Sequence, residues 1–174
     1  MKKLMLTCII VFTFSVGFSQ LTYEGKVDTD LKSVQLEDGT LKYMNYNRTN
    51  QQFVLYNTDQ TVWKKIKLPL PQQHILDEIK LISRTTFNKD DLLEIAYSCV
   101  EYTHSTDYEN TENPLVDIRF TLNIVNEDGK ELLKVYDSNE IEIVESDEGR
   151  KLLIHQHIEN DTDVRDETLI YSLP

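Results

Sequence analysis

The chain has 174 residues, of which 30 are acidic and 18 basic, so its formal net charge at pH 7 is −12. This excess of negative charge excludes most nucleic-acid binders, because they need a basic surface that displaces phosphate counterions. It also disfavours binding to anionic lipid surfaces. With five glycines, four prolines and no long polar low-complexity run, the sequence indicates no linker.

Residues 1–19 have the features of a secretory signal peptide, and a signal-peptide helix is expected there. Lys2 and Lys3 precede the uncharged apolar run LMLTCIIVFTFSV, and small residues, Gly17 and Ser19, follow it at the expected cleavage site. The apolar run falls short of the roughly 20 residues that a membrane-spanning helix needs. We therefore expect an exported protein, secreted or periplasmic, without a membrane anchor after cleavage.

Cysteine usage predicts a chain without an intramolecular disulfide. Cys8 belongs to the signal peptide, which leaves Cys99 as the only thiol of the mature chain. Cys99 lies in DLLEIAYSCVEY (91–102), a segment that is apolar on both faces through its middle, as is typical of a strand covered on both sides. A reactive thiol needs positive charge nearby. The surroundings of Cys99 are acidic and aromatic, so we predict a buried, unreactive side chain.

Short apolar alternations separated by polar turns run through the rest of the chain and predict antiparallel strands. The first three form a meander that ends at the prolines of PLP (69–71), because proline cannot donate to a strand ladder. Asp128-Gly129 and the DEG at 147–149 predict hairpin turns. The strands are predicted at 41–46, 52–57, 62–68, 91–102, 116–125, 131–136, 141–146, 150–159 and 168–173.

In the strand 116–125 the alternation is clearest. Val116, Ile118, Phe120, Leu122 and Ile124 are expected to face a core, with the alternate residues in water. Those alternate residues are Asp117, Arg119, Thr121 and Asn123.

The segment PQQHILDEIKLIS (71–83) has two possible structures. Ile75, Ile79 and Ile82 have helical spacing after a proline suited to a first helical turn. A short helix is therefore one possibility, and an edge strand that starts near Glu78 is the other.

Together these elements predict a single all-β domain over residues 20–174. We expect an antiparallel meander of about three blade-like units, over 22–70, 75–136 and 138–173, arranged as an open propeller-like array or a two-sheet sandwich. A closed propeller is disfavoured because it usually needs at least about four blades.

Four stretches carry a family resemblance: KYMNYNRTNQQFVLYNTDQTVWKKIKLPLP, ISRTTFNKDDLLEI, IVNEDGKELL and LIYSLP. In this order they resemble a β-rich region of secreted Gram-negative bacterial proteins that carry a type IX secretion (Por system) C-terminal sorting domain. In that group a Tyr-Ser-Leu-Pro segment leads into the sorting domain, and here the sequence stops at Pro174. We therefore expect either a short secreted relative without the sorting domain or a sequence cut before it. The resemblance implies no catalytic residues.

Two groups of residues are weak candidates for metal binding. His155 and His157 are two residues apart on a strand, so both imidazoles could reach one ion, but no third ligand stands nearby in the sequence. Asp161, Asp163 and Asp166 offer oxygen ligands in a predicted loop (160–167), without the glycine and glutamate of an EF-hand. A solvated strand face and an ordinary loop are the simpler interpretations, so no metal site is predicted.

Trp63 is a weak candidate for ligand binding. Alternation places it on one strand face with Lys65 and Lys67, where an exposed ring could stack on a sugar or a peptide. Tryptophan is highly buried on average, which favours a core position instead.

The motifs of common enzyme classes are missing from the sequence. It contains no Gly-x-Ser-x-Gly, no phosphate-binding glycine loop and no His-Glu-x-x-His. We therefore predict a non-catalytic binding or structural module, without a cofactor, that binds a protein or a glycan. The alternative is a small secreted hydrolase or metal-dependent enzyme. It would require a pocket in which His74, His104 or the pair His155 and His157 meets carboxylates.

Overall fold

The computed structural model describes residues 23–27, 29–104, 116–160 and 163–174. The predicted signal peptide and its helix therefore lie outside the described residues. Within those residues all regular structure is β-strand, and no helix of the length and apolarity needed to cross a membrane is found.

Eleven strands occur in the described part of the chain, and they form three antiparallel sheets in chain order. Sheet 1 contains β1 (Lys32–Gln35), β2 (Leu41–Asn47), β3 (Gln52–Tyr56) and β4 (Val62–Lys67). Sheet 2 contains β5 (His74–Ser83), β6 (Glu94–His104), β7 (Val116–Asn126) and β8 (Glu131–Tyr136). Sheet 3 contains β9 (Ser138–Ser146), β10 (Gly149–Asn160) and β11 (Asp163–Ser172), with β10 in the middle.

The predicted all-β class is confirmed, and the three predicted units coincide with the three sheets. Each sheet is an open meander whose neighbouring strands are consecutive in the chain. The hairpin at Asp128-Gly129 is also confirmed, with Gly129 at φ +78° and its N–H donating to the carbonyl of Asn126. The sequence analysis missed β1, which pairs with β2.

The segment 71–83 forms an edge strand, so the helix is wrong, and the strand begins at His74 rather than near Glu78. Two bulges interrupt the pairing of β5 with β6, and they leave Asp77 and Lys80 as extra residues. Each extra residue shifts the alternation by one position. These shifts place Leu76, Ile79 and Ile82, which are three residues apart, on the face that packs against sheet 1, whereas Ile75 is 47% exposed.

Sheet 2 packs on both of its faces. On one face Ile95 and Tyr97 of β6 join a core with Phe53 and Leu55 of sheet 1. On the other face Ala96 of β6 joins Leu122 and Ile124 of β7 and Leu152 and Ile154 of sheet 3. Strand β6 is therefore buried between two layers, as was predicted from a sequence that is apolar on both faces.

Cys99 is buried in this arrangement, as predicted. Burial raises the pKa of its thiol to about 11, because the low-polarity surroundings disfavour the thiolate. Asn123 donates its side-chain N–H to the sulfur at 3.4 Å. The side chain fills the interior rather than offering a nucleophile.

The expectation for β7 was wrong in part. Thr121 and Asn123, expected in water, are 1% and 2% exposed, because their face of β7 also carries Val125, which packs into the core shared with sheet 1. Ile118, expected in the core, is 49% exposed. Pairing with β8 starts only at Thr121, so Ile118 lies beyond the end of that neighbouring strand.

The packing of sheet 3 on sheet 2 predicts a contrast between two isoleucines on adjacent strands. Ile154 is fully buried in the shared core, whereas Ile170 is 67% exposed. We expect Ile154→Ala to lower the free energy of unfolding by about 2 to 5 kcal/mol, through lost burial and the cavity left behind. The control Ile170→Ala should change it by no more than about 0.5 kcal/mol. Urea denaturation of both variants measures the difference, and equal losses would contradict the packing.

Candidate binding cleft

A single residue, Asp137, connects sheet 2 to sheet 3. It lies between the last residue of β8 and the first residue of β9, with a left-handed backbone (φ 56°), which aspartate tolerates better than most residues. Its N–H donates to the carbonyl of Phe120 in sheet 2 at 2.8 Å. Its carbonyl accepts from the N–H of His157 in sheet 3, also at 2.8 Å. The backbone of Asp137 therefore joins the two sheets.

Two strand pairs, β6 with β7 and β10 with β11, extend beyond this junction. Strand β7 pairs with β8 only over Thr121–Val125, and β10 pairs with β9 only over Gly149–Gln156. In the described part of the chain, the first residues of β7 and the last residues of β10 therefore have no strand neighbour on the junction side. The two overhanging ends border a cleft of about 550 Å³, within the range typical of small-molecule sites.

Four short segments line the cleft: 118–120 of β7, 137–140 at the junction, 155–157 of β10 and 166–168 of β11. Residues from both faces of β10 are included. Most of the lining side chains are polar or charged, and Ile118 and Phe120 provide the apolar wall.

Ser138 is the most unusual residue of the lining. Its side chain is buried, with 2% of the residue exposed, yet its hydroxyl has no hydrogen-bond partner within the described structure. An unsatisfied buried hydroxyl costs roughly 1 to 3 kcal/mol, and such groups are rare in native proteins. The oxygen has almost no accessible surface, so a ligand in the cleft would become its partner only when the wall of the cleft shifts on binding.

His155 and His157 also line the cleft, next to partners on β11. The Nδ1 of His157 lies 2.7 Å from Oδ1 of Asp166, and the Nδ1 of His155 lies 3.2 Å from Oγ1 of Thr168. Both contacts follow from the register of β10 and β11, which places each histidine directly opposite its partner. The hydrogen bond that Nδ1 of His157 donates to Asp166 raises the pKa of His157 above its ordinary value of 6.5, because the carboxylate favours the imidazolium.

The loop expected at 160–167, which contains the weak calcium candidates, is mostly a strand. Asp163 and Asp166 belong to strand β11 rather than to a loop, and Asp161 lies outside the described residues. Residues three apart on a strand point to opposite faces, so Asp163 and Asp166 cannot turn toward one ion. The sequence analysis took the polar composition of this stretch for a loop, whereas it is the solvated end of a hairpin.

Nowhere in residues 23–27, 29–104, 116–160 and 163–174 do three histidine, cysteine, aspartate or glutamate side chains cluster closely enough to hold a metal ion. His155 contacts the hydroxyl of Thr168, and the carboxylate of Glu142 lies 3.9 Å from its Nε2. His157 is hydrogen-bonded to the carboxylate of Asp166. The two histidines of the sequence analysis therefore have separate partners on their own sheet.

The other two histidines do not contribute to the described cleft. His74 lies on β5, with its Nδ1 3.0 Å from the carbonyl of Gln72 and its Nε2 3.4 Å from Oγ1 of Thr121. The side chain of His104 lies outside the described part of the structure.

Trp63 is half-buried and packs against the core between sheets 1 and 2. It is the extra residue of a bulge between β3 and β4. Three cations lie over its ring, at 4.5 Å for Lys42, 5.5 Å for Arg84 and 5.6 Å for Lys64. The ring thus has cation–π partners from its own chain, and a ligand role for Trp63 stays a prediction.

The sequence analysis missed Asp137, Ser138 and Asn139, which form the junction. A signal was present, since Asp-Ser-Asn separates two apolar alternations and all three residue types favour turns. The burial of Ser138 and the missing partner of its hydroxyl depend on how two sheets meet, which local sequence does not encode.

Comparisons of the chain with protein-family models, with curated proteins and with solved structures found no match. The role of the cleft therefore has to be inferred from its own geometry.

Two buried serines provide a test of the unsatisfied hydroxyl. Ser98 is as buried as Ser138, but it donates to Oδ2 of Asp77 at 2.7 Å. We expect Ser98→Ala to lower the free energy of unfolding by about 1 to 3 kcal/mol, because a hydrogen bond to a carboxylate is lost. Ser138→Ala should raise it by about 1 kcal/mol, because an unpaired buried hydroxyl is removed. Urea denaturation compares the two, and a similar loss in both would contradict the assignment of Ser138.

The contact between His157 and Asp166 predicts a pH effect. The imidazolium is favoured in the folded state, so this contact stabilises the fold below about pH 6.5, and the contribution disappears as the pH rises through the raised pKa of His157. An NMR titration should give a pKa for His157 above 6.5. Asp166→Asn should lower it toward that value, whereas the control Asp163→Asn, three residues away on β11, should not. An unchanged pKa in Asp166→Asn would refute the pairing.

Proposed function

We propose that this chain is a non-catalytic binding module of an exported bacterial protein and that it binds its partner in the cleft between sheets 2 and 3. The observation that carries the proposal is the buried, unpartnered hydroxyl of Ser138 on the wall of a cleft of about 550 Å³. A site with an apolar wall and a few convergent polar groups is the usual form of a ligand-binding pocket.

The arrangement of the polar groups supports binding rather than catalysis. A serine nucleophile needs a general base within about 3.2 Å, and the hydroxyl of Ser138 has no such contact among the described residues. The ring of His157 is directed to Asp166, and the side chains of this pair are 65% and 85% exposed. An active site normally excludes water from such groups.

Export is proposed from the sequence. The basic and apolar segments before Gln20 have the pattern of a signal peptide. The resemblance to β-rich regions of type IX secretion substrates agrees with a location in the periplasm or outside the cell. In that setting the partner is a protein or a glycan.

One observation favours a small hydrolase as the second candidate. Ser138, His157 and Asp166 all line the same cleft, and these three residue types can form a catalytic triad. The hydrolase would require Ser138 and His157 to come into contact when substrate binds. Hydrolysis of p-nitrophenyl acetate that is lost in both Ser138→Ala and His157→Gln would support this candidate and contradict the binding module.

A pair of matched variants tests the binding site. Ile118 in the cleft and Val62 on β4 are each 49% exposed, so tryptophan at either position adds a similar bulk to a strand. We expect the wild type to bind members of a defined glycan array or a defined peptide array. Ile118→Trp should weaken that binding at least about tenfold by filling the cleft, and Val62→Trp should leave it unchanged.

Two results would overturn the proposed function. One is the absence of any bound glycan or peptide in either array. The other is binding that Ile118→Trp and Val62→Trp affect equally, since the bound surface would then lie outside the cleft. Circular dichroism of both variants establishes that each retains its β-structure.

A further inference from the structure

The open edge of β7 borders the cleft and has room for one more strand. The carbonyl of Phe120 points to the junction side, where it accepts from Asp137. On a strand, the backbone groups of residues two apart point to the same side, so the N–H and carbonyl of Ile118 also face the cleft. Within the described structure no strand pairs with them there. An incoming strand would pair with β7 in the position that β8 leaves open beyond its last paired residue.

This edge differs from the edge strand at the other side of sheet 2. Strand β5 carries two bulges and an extra lysine, Lys80, which are devices that prevent strand addition. The pairing of β6 with β7, in contrast, runs from Glu94 to His104 without a shift in register. The cleft side of β7 is therefore a regular edge without such protection.

The charges around the cleft select the kind of strand that fits. Four carboxylates line it: Asp137, Glu140, Asp166 and Glu167. Among the described residues, Arg119 is the one arginine or lysine of the lining, and its Nε donates to Oδ2 of Asp117 at 2.9 Å. Two of the four carboxylates have cationic partners of their own: Nε of Arg165 lies 3.1 Å from Oε1 of Glu167, and Asp166 pairs with His157. The negative charge that a ligand would meet is therefore concentrated on Asp137 and Glu140. The chain as a whole is also strongly acidic. A cationic partner would therefore meet complementary charge, whereas an acidic one would be repelled.

We propose that the cleft binds an extended peptide segment rich in lysine or arginine, which adds as a strand to the open edge of β7. Main-chain hydrogen bonds to Ile118 hold the peptide, and its cationic side chains reach the carboxylates at the junction and on β11. When binding shifts the wall of the cleft, the hydroxyl of Ser138 gains the polar partner that it lacks within the described structure. This inference rests on the proposed function and names the class of its ligand.

Synthetic peptides test the inference directly. The probe is the nine-residue peptide acetyl-TKVKTKVKT-amide, and its acidic twin carries glutamate at each lysine. Two further peptides carry N-methyl groups on the odd or on the even residues, because each set removes the donors from one edge of the strand. Fluorescence anisotropy of labelled peptides with the full chain gives the dissociation constants.

We expect the lysine peptide to bind at least about tenfold more tightly than the glutamate peptide. At least one N-methylated peptide should lose binding, since its methyl groups occupy the edge that pairs with β7. In the protein, Asp137→Asn with Glu140→Gln should weaken binding about three- to tenfold. The control pair Asp147→Asn with Glu148→Gln removes the same charges in the turn between β9 and β10, and it should have little effect.

Equal binding of the lysine and glutamate peptides would overturn the charge selection, and full binding of both N-methylated peptides would overturn strand addition. A glycan that binds in the cleft while no lysine peptide binds would also overturn the inference, but it would leave the proposed function standing. If no glycan and no peptide in the arrays bound to the protein, both this inference and the proposed function would be contradicted.

Discussion

The backbone of Asp137 is the constraint on which the arrangement of the cleft depends. Its N–H donates to a carbonyl of sheet 2, and its carbonyl accepts from an N–H of sheet 3. One residue therefore fixes how closely the two sheets approach. A longer connection would let β8 and β9 continue along their neighbours. With only one residue available, both strands stop at the junction while β7 and β10 continue past it. The cleft is thus a direct result of the short connection.

The two-faced core of sheet 2 provides the rigid support behind this cleft. Leu122 and Ile124 pack against Leu152 and Ile154 of sheet 3, and along β7 the same face continues to Phe120 and then to Ile118. Burial declines along that row, from full burial at Leu122 to 49% exposure at Ile118, which lies beyond the last residue paired with β8. The apolar wall of the cleft is therefore the outer end of the core, and it is held by residues that cannot move without disturbing both layers.

Much of the fold was predictable because residues on a regular strand alternate between two faces. The strand 131–136 was predicted with its observed bounds, and the three units matched the three sheets. The prediction was weakest where bulges shift the alternation, as at Asp77 and Lys80 of β5, where a helix was an open possibility. The site was harder to predict, since the contact of His157 with Asp166 requires the register of a hairpin. The missing partner of Ser138 depends on two sheets that are separate in the sequence.

Three separate deficits meet at the cleft of the free protein. Within the described residues, a buried hydroxyl lacks a hydrogen-bond partner, a regular strand edge lacks a neighbouring strand, and the carboxylates of Asp137 and Glu140 line the cleft beside one arginine. The unpaired hydroxyl raises the free energy of the folded state, and an open strand edge is a template for pairing with another chain. Each is also satisfied by the same object, an extended cationic segment with free backbone donors. The coincidence of three unrelated features at one place is more simply explained by a ligand that engages all of them than by three independent accidents of packing.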